Sequence, residues 1–151
     1  MHETLLKQLS FQQTDHYNLP RVKQFYKLNG MRAQAPKGDL VFSACLGSRI
    51  IAALRLHPID NVYLLRSMCV HVDYRHQGIG NALLQYLQPQ LNAIECYCFP
   101  FSHLTAFYSS AGFQQQDIQS VPVAIADKFT RYQNNGKDIC LMKHLKQSVL
   151  K

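Results

Sequence analysis

The chain has 151 residues, 47% of them hydrophobic, and its 16 Lys and Arg against 9 Asp and Glu give a formal charge of +7. At roughly 100–200 residues per domain, this length predicts one domain over residues 1–151, with enough apolar material for its own core. No run approaches the roughly 18 apolar residues of a membrane span, and the start MHETLLKQLSFQQTD carries no apolar signal core, so a cytoplasmic protein with no membrane partner is expected.

Leu5 to Phe11 alternates weakly and predicts a first strand. Asp15 then caps a helix running to about Leu28, stopped by Asn29-Gly30, and Met31 to Gly38 reads as a loop. Leu40 to Leu46 and Ile50 to His57 flank Gly47-Ser48, an antiparallel hairpin signal, and the turn at Pro58 and Asp60-Asn61 leads into a third strand, Tyr63 to Val72. After this meander the period changes to about 3.6. Ala82, Leu83, Leu84, Leu87 and Leu91 form one apolar stripe, which Pro89 must end or kink. Ile94 to Phe99 is a short strand, Ser102 caps a helix to about Ala111, Gly112 stops it, and Phe113 opens another extended piece. A helix starting near Pro122, with Ile125, Phe129 and Tyr132 on one face, stops at Asn134-Asn135-Gly136 before a final strand, Asp138 to His144. The order β-α-β-β-β-α-β-α-β-α-β predicts an α/β protein with a mixed sheet and helices on its faces.

The positive balance favours an anionic partner. The basic residues are scattered rather than clustered, which speaks against a nucleic-acid face, and phosphates on a small molecule satisfy the same bias. Five cysteines, Cys45, Cys69, Cys96, Cys98 and Cys140, read as free buried thiols. The Cys96-x-Cys98 pair has no second ligand pair at zinc spacing, so no metal is expected.

Chemistry concentrates at Arg75-His76-Gln77-Gly78-Ile79-Gly80-Asn81, between a strand and a helix start. Glycines there let the backbone approach a ligand, and the unpaired N–H groups of the helix N-terminus face an anion, best a pyrophosphate. The Lys-Ser/Thr pair of a nucleotide-triphosphate loop is absent, and the glycine spacing is not that of a dinucleotide fingerprint.

This segment resembles the Arg/Gln-x-x-Gly-x-Gly/Ala signature of the GNAT superfamily of acetyl-CoA-dependent N-acetyltransferases. Leu65 to Arg75 looks like that family's fourth strand and entry loop, and Phe107-Tyr108 with Gly112-Phe113 looks like its second motif. The resemblance implies a central, mostly antiparallel sheet whose fourth and fifth strands splay apart. It implies that the backbone of Met68, Cys69 and Val70 holds the pantetheine arm of acetyl-CoA, that His76, Gln77, Gly78, Ile79, Gly80 and Asn81 wrap the pyrophosphate, and that Arg75 adds charge. It also implies that Tyr108 is the general acid for the departing thiolate, a role that suits a phenol protonated at neutral pH.

The base is not legible from the family pattern. Where members often carry a Glu, this chain has Arg66 and Ser67 on the fourth strand and Cys96 on the fifth, while Glu95 is one residue out of register. His71, His103, His57 and a water chain stay open as proton acceptors. Phe101 also replaces an Asn common near the cofactor arm. In an alternating strand Arg66, Met68 and Val70 share one face, and Arg66 is a candidate for binding the carboxylate of an amino-acid-like acceptor.

The expected function is therefore acetyl transfer from acetyl-CoA, as co-substrate, to a primary amine of a small molecule, by direct attack through a tetrahedral intermediate and without a cysteine acyl-enzyme. The helix from about Val121 to Asn134 favours a small acceptor over an extended peptide. Acetylation of a protein amine is the alternative within the enzyme class. A non-catalytic acyl-CoA-binding or nucleic-acid-binding module on the same fold is the alternative outside it. A homodimer is left open.

Overall fold

The computed structural model describes residues 2–32, 36 and 38–146, so residues 33–35 and 37 of the expected Met31–Gly38 loop lie outside the described part. The chain forms α1 (His2–Gln8), β1 (Leu9–Gln13), α2 (Leu19–Leu28), β2 (Leu40–Leu46), β3 (Arg49–Ile59), β4 (Val62–Val70), α3 (Ile79–Tyr86), α4 (Gln88–Asn92), β5 (Cys96–Cys98), α5 (Thr105–Ser110), β6 (Phe113–Gln115), α6 (Val123–Asn134) and β7 (Met142–His144), with four one-turn 3-10 helices between them. The strands hydrogen-bond in the order β1-β2-β3-β4-β5-β7-β6. The β4–β5 pair is parallel, and the β1–β2, β2–β3, β5–β7 and β6–β7 pairs are antiparallel. The protein is thus α/β with a mixed sheet, as the element order predicts, and that sheet is mostly antiparallel, as the resemblance implies.

The chain divides into two compact units, Met1–His57 with Arg66–Tyr86, and Pro58–Leu65 with Leu87–Lys151, so β4 contributes to both. In the first unit, α2 buries Val22, Phe25 and Tyr26 against Val41 and Cys45 of β2, Ile50 and Ala53 of β3, and Cys69 of β4. Fully burying such side chains contributes roughly 1.5–3 kcal/mol each. In the second, Ile125 and Phe129 of α6 pack with Val62 and Leu64 of β4, Tyr97 of β5, Ile139 and Leu141. Parallel pairing of β4 with β5 covers Tyr63↔Cys96, Leu64↔Tyr97 and Leu65↔Cys98, where β5 ends while β4 runs on to Val70. Among the described residues no helix is long and apolar enough to cross a membrane.

Several boundaries differ from the sequence expectation. The start is a helix, not a strand: Glu3, Leu5, Leu6, Lys7 and Gln8 are good helix formers, and β1 begins only at Leu9. Asp15 caps the 3-10 turn His16–Asn18 by accepting the Asn18 N–H, and α2 then starts with Pro20 in its first turn. Pro58 lies within β3 but beyond the Leu40↔Leu56 pair that ends its ladder with β2, so its missing N–H leaves that ladder intact. Pro89 splits the expected long helix into α3 and α4. Ser102 does not cap α5. Its hydroxyl instead donates to Asp138 Oδ1 at 2.6 Å, tying the start of that helical segment to the approach to β7.

Candidate active site

The first unit holds the strand end and the glycine loop. β4 ends at Val70, a 3-10 turn covers Val72–Tyr74, and α3 opens at Ile79. Gly78 adopts φ +84, a conformation other residues resist, and its carbonyl accepts the Ala82 N–H at 3.0 Å, closing the first turn of α3. The amides of Ile79, Gly80 and Asn81 therefore begin the helix without intrahelical acceptors, at the positive end of its dipole. A Cβ at Gly78 would meet nothing closer than Leu6 Cδ1 at 3.7 Å, so the loop's backbone is open to a close approach. His76 is also left-handed, at φ +65. These features fit a pyrophosphate of a coenzyme.

Arg75 folds back from this loop and donates its Nε–H to the Val70 carbonyl at 3.0 Å. It also sits against the Cys69 thiol, whose pKa burial raises while the guanidinium partly offsets the rise. Met68, Cys69, Val70 and the loop from Arg75 to Asn81 are thus brought together at one end of β4, in the same unit as Arg66.

The expected alternation along β4 fails at Ser67, which adopts φ +59. An extended strand requires negative φ, so the two-residue period is interrupted there and Arg66, Met68 and Val70 do not form one uninterrupted row. The Ser67 hydroxyl accepts the Arg55 Nε–H at 3.0 Å. Arg55 in turn meets Asp39 Oδ2 at 2.5 Å, and the other carboxylate oxygen of Asp39 receives His57 Nδ1 at 2.7 Å. Asp39 and Arg55 are buried, whereas the His57 side chain is 27% exposed. Tyr26 of α2, its hydroxyl buried without a partner among the described residues, is close enough to Arg55 and Asp39 to feel both charges. Sequence reasoning missed Asp39 and Arg55. The hairpin alone does not reveal them: counted straight from Leu46↔Arg49 it puts Asp39 opposite Leu56, and only the register shift between Ala44 and Cys45 carries the ladder on to Leu40↔Leu56. A cavity of about 390 Å³ in this unit is lined by Thr14, His16, Leu19, Lys23, Gly38 and Asp39.

The other candidate bases differ in their surroundings. His71 Nδ1 accepts the Asp73 N–H at 3.0 Å and Nε2 lies 3.2 Å from the Arg49 guanidinium, so both ring nitrogens are engaged. His103 is exposed and stacks on Phe101.

The second unit holds Tyr108, on α5, with its ring edge-on to Phe107 and Phe113 at 5.0 and 5.8 Å. Burial raises its pKa, and the nearby Cys98 thiol adds to the rise, so the phenol keeps its proton. Burial also pushes the Cys96 thiol up to about 12 and raises that of Cys98, which disfavours thiolate nucleophiles at both. Glu95 accepts the Tyr97 hydroxyl at 2.5 Å. The five cysteines are free, four of them buried and Cys140 partly so, and the described residues contain no group of three or more His, Cys, Asp or Glu able to hold a metal ion.

Comparison with solved structures finds the same fold at low sequence identity. The chain aligns with N-acetylglutamate synthase from Neisseria gonorrhoeae, solved with coenzyme A and N-acetyl-glutamate, at TM-score 0.68 and 12% identity, over 93% of this chain and 35% of that one. It thus spans about a third of that protein. It aligns with the ribosomal-protein-S18-alanine N-acetyltransferase from Escherichia coli at TM-score 0.66 and 16% identity, over 95% of this chain and 97% of that one. A third similar structure, Arabidopsis thaliana Naa50 with a bisubstrate analogue of coenzyme A, has TM-score 0.62 and 17% identity over 94% and 99% of the two chains. No curated protein matches. The family model described as an acetyltransferase (GNAT) domain matches residues 37–115, more than half of the chain and the stretch from the segment before β2 through β6. This chain belongs to the GNAT acetyltransferase family.

Proposed function

We propose that residues 1–151 act as one N-acetyltransferase domain, which uses acetyl-CoA to acetylate a primary amine of a small molecule. The observation that carries this reading is the end of β4: a strand whose last residues lead through a left-handed Gly78 into the N-terminus of α3. When bound, acetyl-CoA supplies an acyl group activated as a thioester.

The chain's residues then have distinct tasks. The backbone of Met68, Cys69 and Val70 binds the pantetheine arm as an added strand would, and a β4 amide faces the developing oxyanion. Arg75 and the segment His76, Gln77, Gly78, Ile79, Gly80 and Asn81 hold the pyrophosphate through the helix N-terminus. Tyr108, kept protonated by burial, hands its proton to the departing thiolate. The raised thiol pKa values of Cys69, Cys96 and Cys98 support direct attack by the amine over an acyl-enzyme.

A cavity of about 390 Å³ in the first unit suits a compact acceptor better than an extended peptide. Half-buried Arg66, on β4 just before Ser67, is the residue we assign to the acceptor's carboxylate. The test is free-thiol release from acetyl-CoA with a panel of small amines, amino acids and peptides. Release with small amines supports the reading; release with peptides alone moves the acceptor to a protein amine, and no release with any amine while acetyl-CoA still binds makes the domain a non-catalytic binding module.

A further inference from the structure

We infer that His57 is the general base of this site and that Asp39, locked by Arg55, is its positioning residue. The inference rests on the acetyl-transfer reading and supplies the group that reading leaves unassigned. A primary amine with a pKa near about 10.4 is almost fully protonated at neutral pH and must lose a proton before it can attack.

The geometry selects one nitrogen. The Asp39 carboxylate can only accept where it faces His57 at 2.7 Å, so Nδ1 carries the hydrogen of the neutral ring and Nε2 carries the lone pair. Among the described residues no hydrogen bond ends on that Nε2, in contrast to His71, where both nitrogens are taken. The His57 ring is 27% exposed while the carboxylate behind it is 1% exposed, an orientation that anchors one side and leaves the other open to a ligand. Arg55 fixes the carboxylate from its second oxygen and, through Ser67, ties the assembly to β4 one residue before Met68, where the acyl arm is held. The charged and titratable groups in this cluster are Asp39 ahead of β2, Arg55 on β3 and the Tyr26 hydroxyl on α2.

In the proposed step, the acceptor's ammonium gives one proton to His57 Nε2, forming an imidazolium against Asp39. The freed lone pair forms the C–N bond as the carbonyl π pair moves to oxygen, the returning pair breaks the C–S bond, the nitrogen's second proton passes to water, and the thiolate takes the Tyr108 proton. His57 and Tyr108 return to their starting states by exchange with solvent, so no oxidant or further reactant is needed.

The test compares the parent with His57→Asn, whose amide can keep the hydrogen bond to Asp39 without a base, and with His57→Gln, each checked for an unchanged acetyl-CoA thermal shift. The parent kcat should be flat from neutral to alkaline pH. In both variants it should fall by roughly 10²–10³ at pH 7 and climb about tenfold per pH unit towards the amine pKa, with KM little changed. A fall by the same factor at every pH, or no fall, in either folded variant overturns the inference while leaving acetyl transfer standing. A parent that binds acetyl-CoA but releases no CoA with any amine overturns the acetyl-transfer reading and this inference with it.

Discussion

Asp39 and Arg55 meet at 2.5 Å with side chains only 1% and 6% exposed, which makes them a buried ion pair rather than a surface contact. Removing one partner strands the other charge, so Asp39→Ala should lose roughly 3–5 kcal/mol of stability by denaturant unfolding. Replacing both with Asp39→Leu and Arg55→Met should recover much of that loss. A single variant as stable as the parent would show that the pair is not holding the fold.

Gly78 tests the coenzyme loop. A β-branched residue at φ +84 costs roughly 1–2 kcal/mol of backbone strain and places side-chain atoms where a pyrophosphate would lie, although the nearest protein atom is 3.7 Å away. The double variant Gly78→Val, Gly80→Val should fold yet lose the rise in Tm that acetyl-CoA gives the parent by mass action. An equal rise in the folded variant would remove the pyrophosphate assignment.

Tyr108→Phe keeps the edge-on packing against Phe113 and deletes the proton donor. Turnover should fall by roughly 10²–10⁴ with acetyl-CoA affinity little changed. Where chemistry limits the rate, an unaltered kcat would make Tyr108 a packing residue.

Arg66→Gln should raise KM for amines that carry a carboxylate far more than for the same amines amidated. Equal effects on both would make Arg66 structural.

Burial lowers the pKa of His144 in the folded state, where Nε2 lies 3.0 Å from Gln88 Oε1 and Nδ1 is buried without a partner among the described residues. The unfolded chain then binds the proton more readily, so stability is fully present above the ordinary value near about 6.5 and is lost as pH falls below it, levelling off once the folded pKa is passed. The Tm of His144→Gln should decline less than that of the parent between pH 7.5 and 5.5. Identical declines would place the acid sensitivity elsewhere.

The legible parts of the chain were those with local cues. Gly47-Ser48 set the β2–β3 hairpin, and Pro89 marked a break that α3 and α4 respect. The glycine loop was readable because Gly78 is the residue a left-handed helix entry calls for. Ser67 was not, because a left-handed serine inside a strand leaves no mark on the hydrophobic pattern. Nor was the role of Ser102, whose partner Asp138 lies 36 residues away. The three candidate histidines were equivalent in sequence, and only their contacts separate His57, backed by Asp39, from His71, held by Arg49 and by the neighbouring Asp73 amide.

Direct acetyl transfer from acetyl-CoA to a small amine can be followed by supplying acetyl-CoA labelled with ¹³C at the acyl carbonyl and recording the carbonyl resonance alongside free thiol. An amide signal on the amine should grow in step with thiol release, with no signal on the protein. A labelled thioester on Cys69, Cys96 or Cys98, or thiol release without amide, would contradict it.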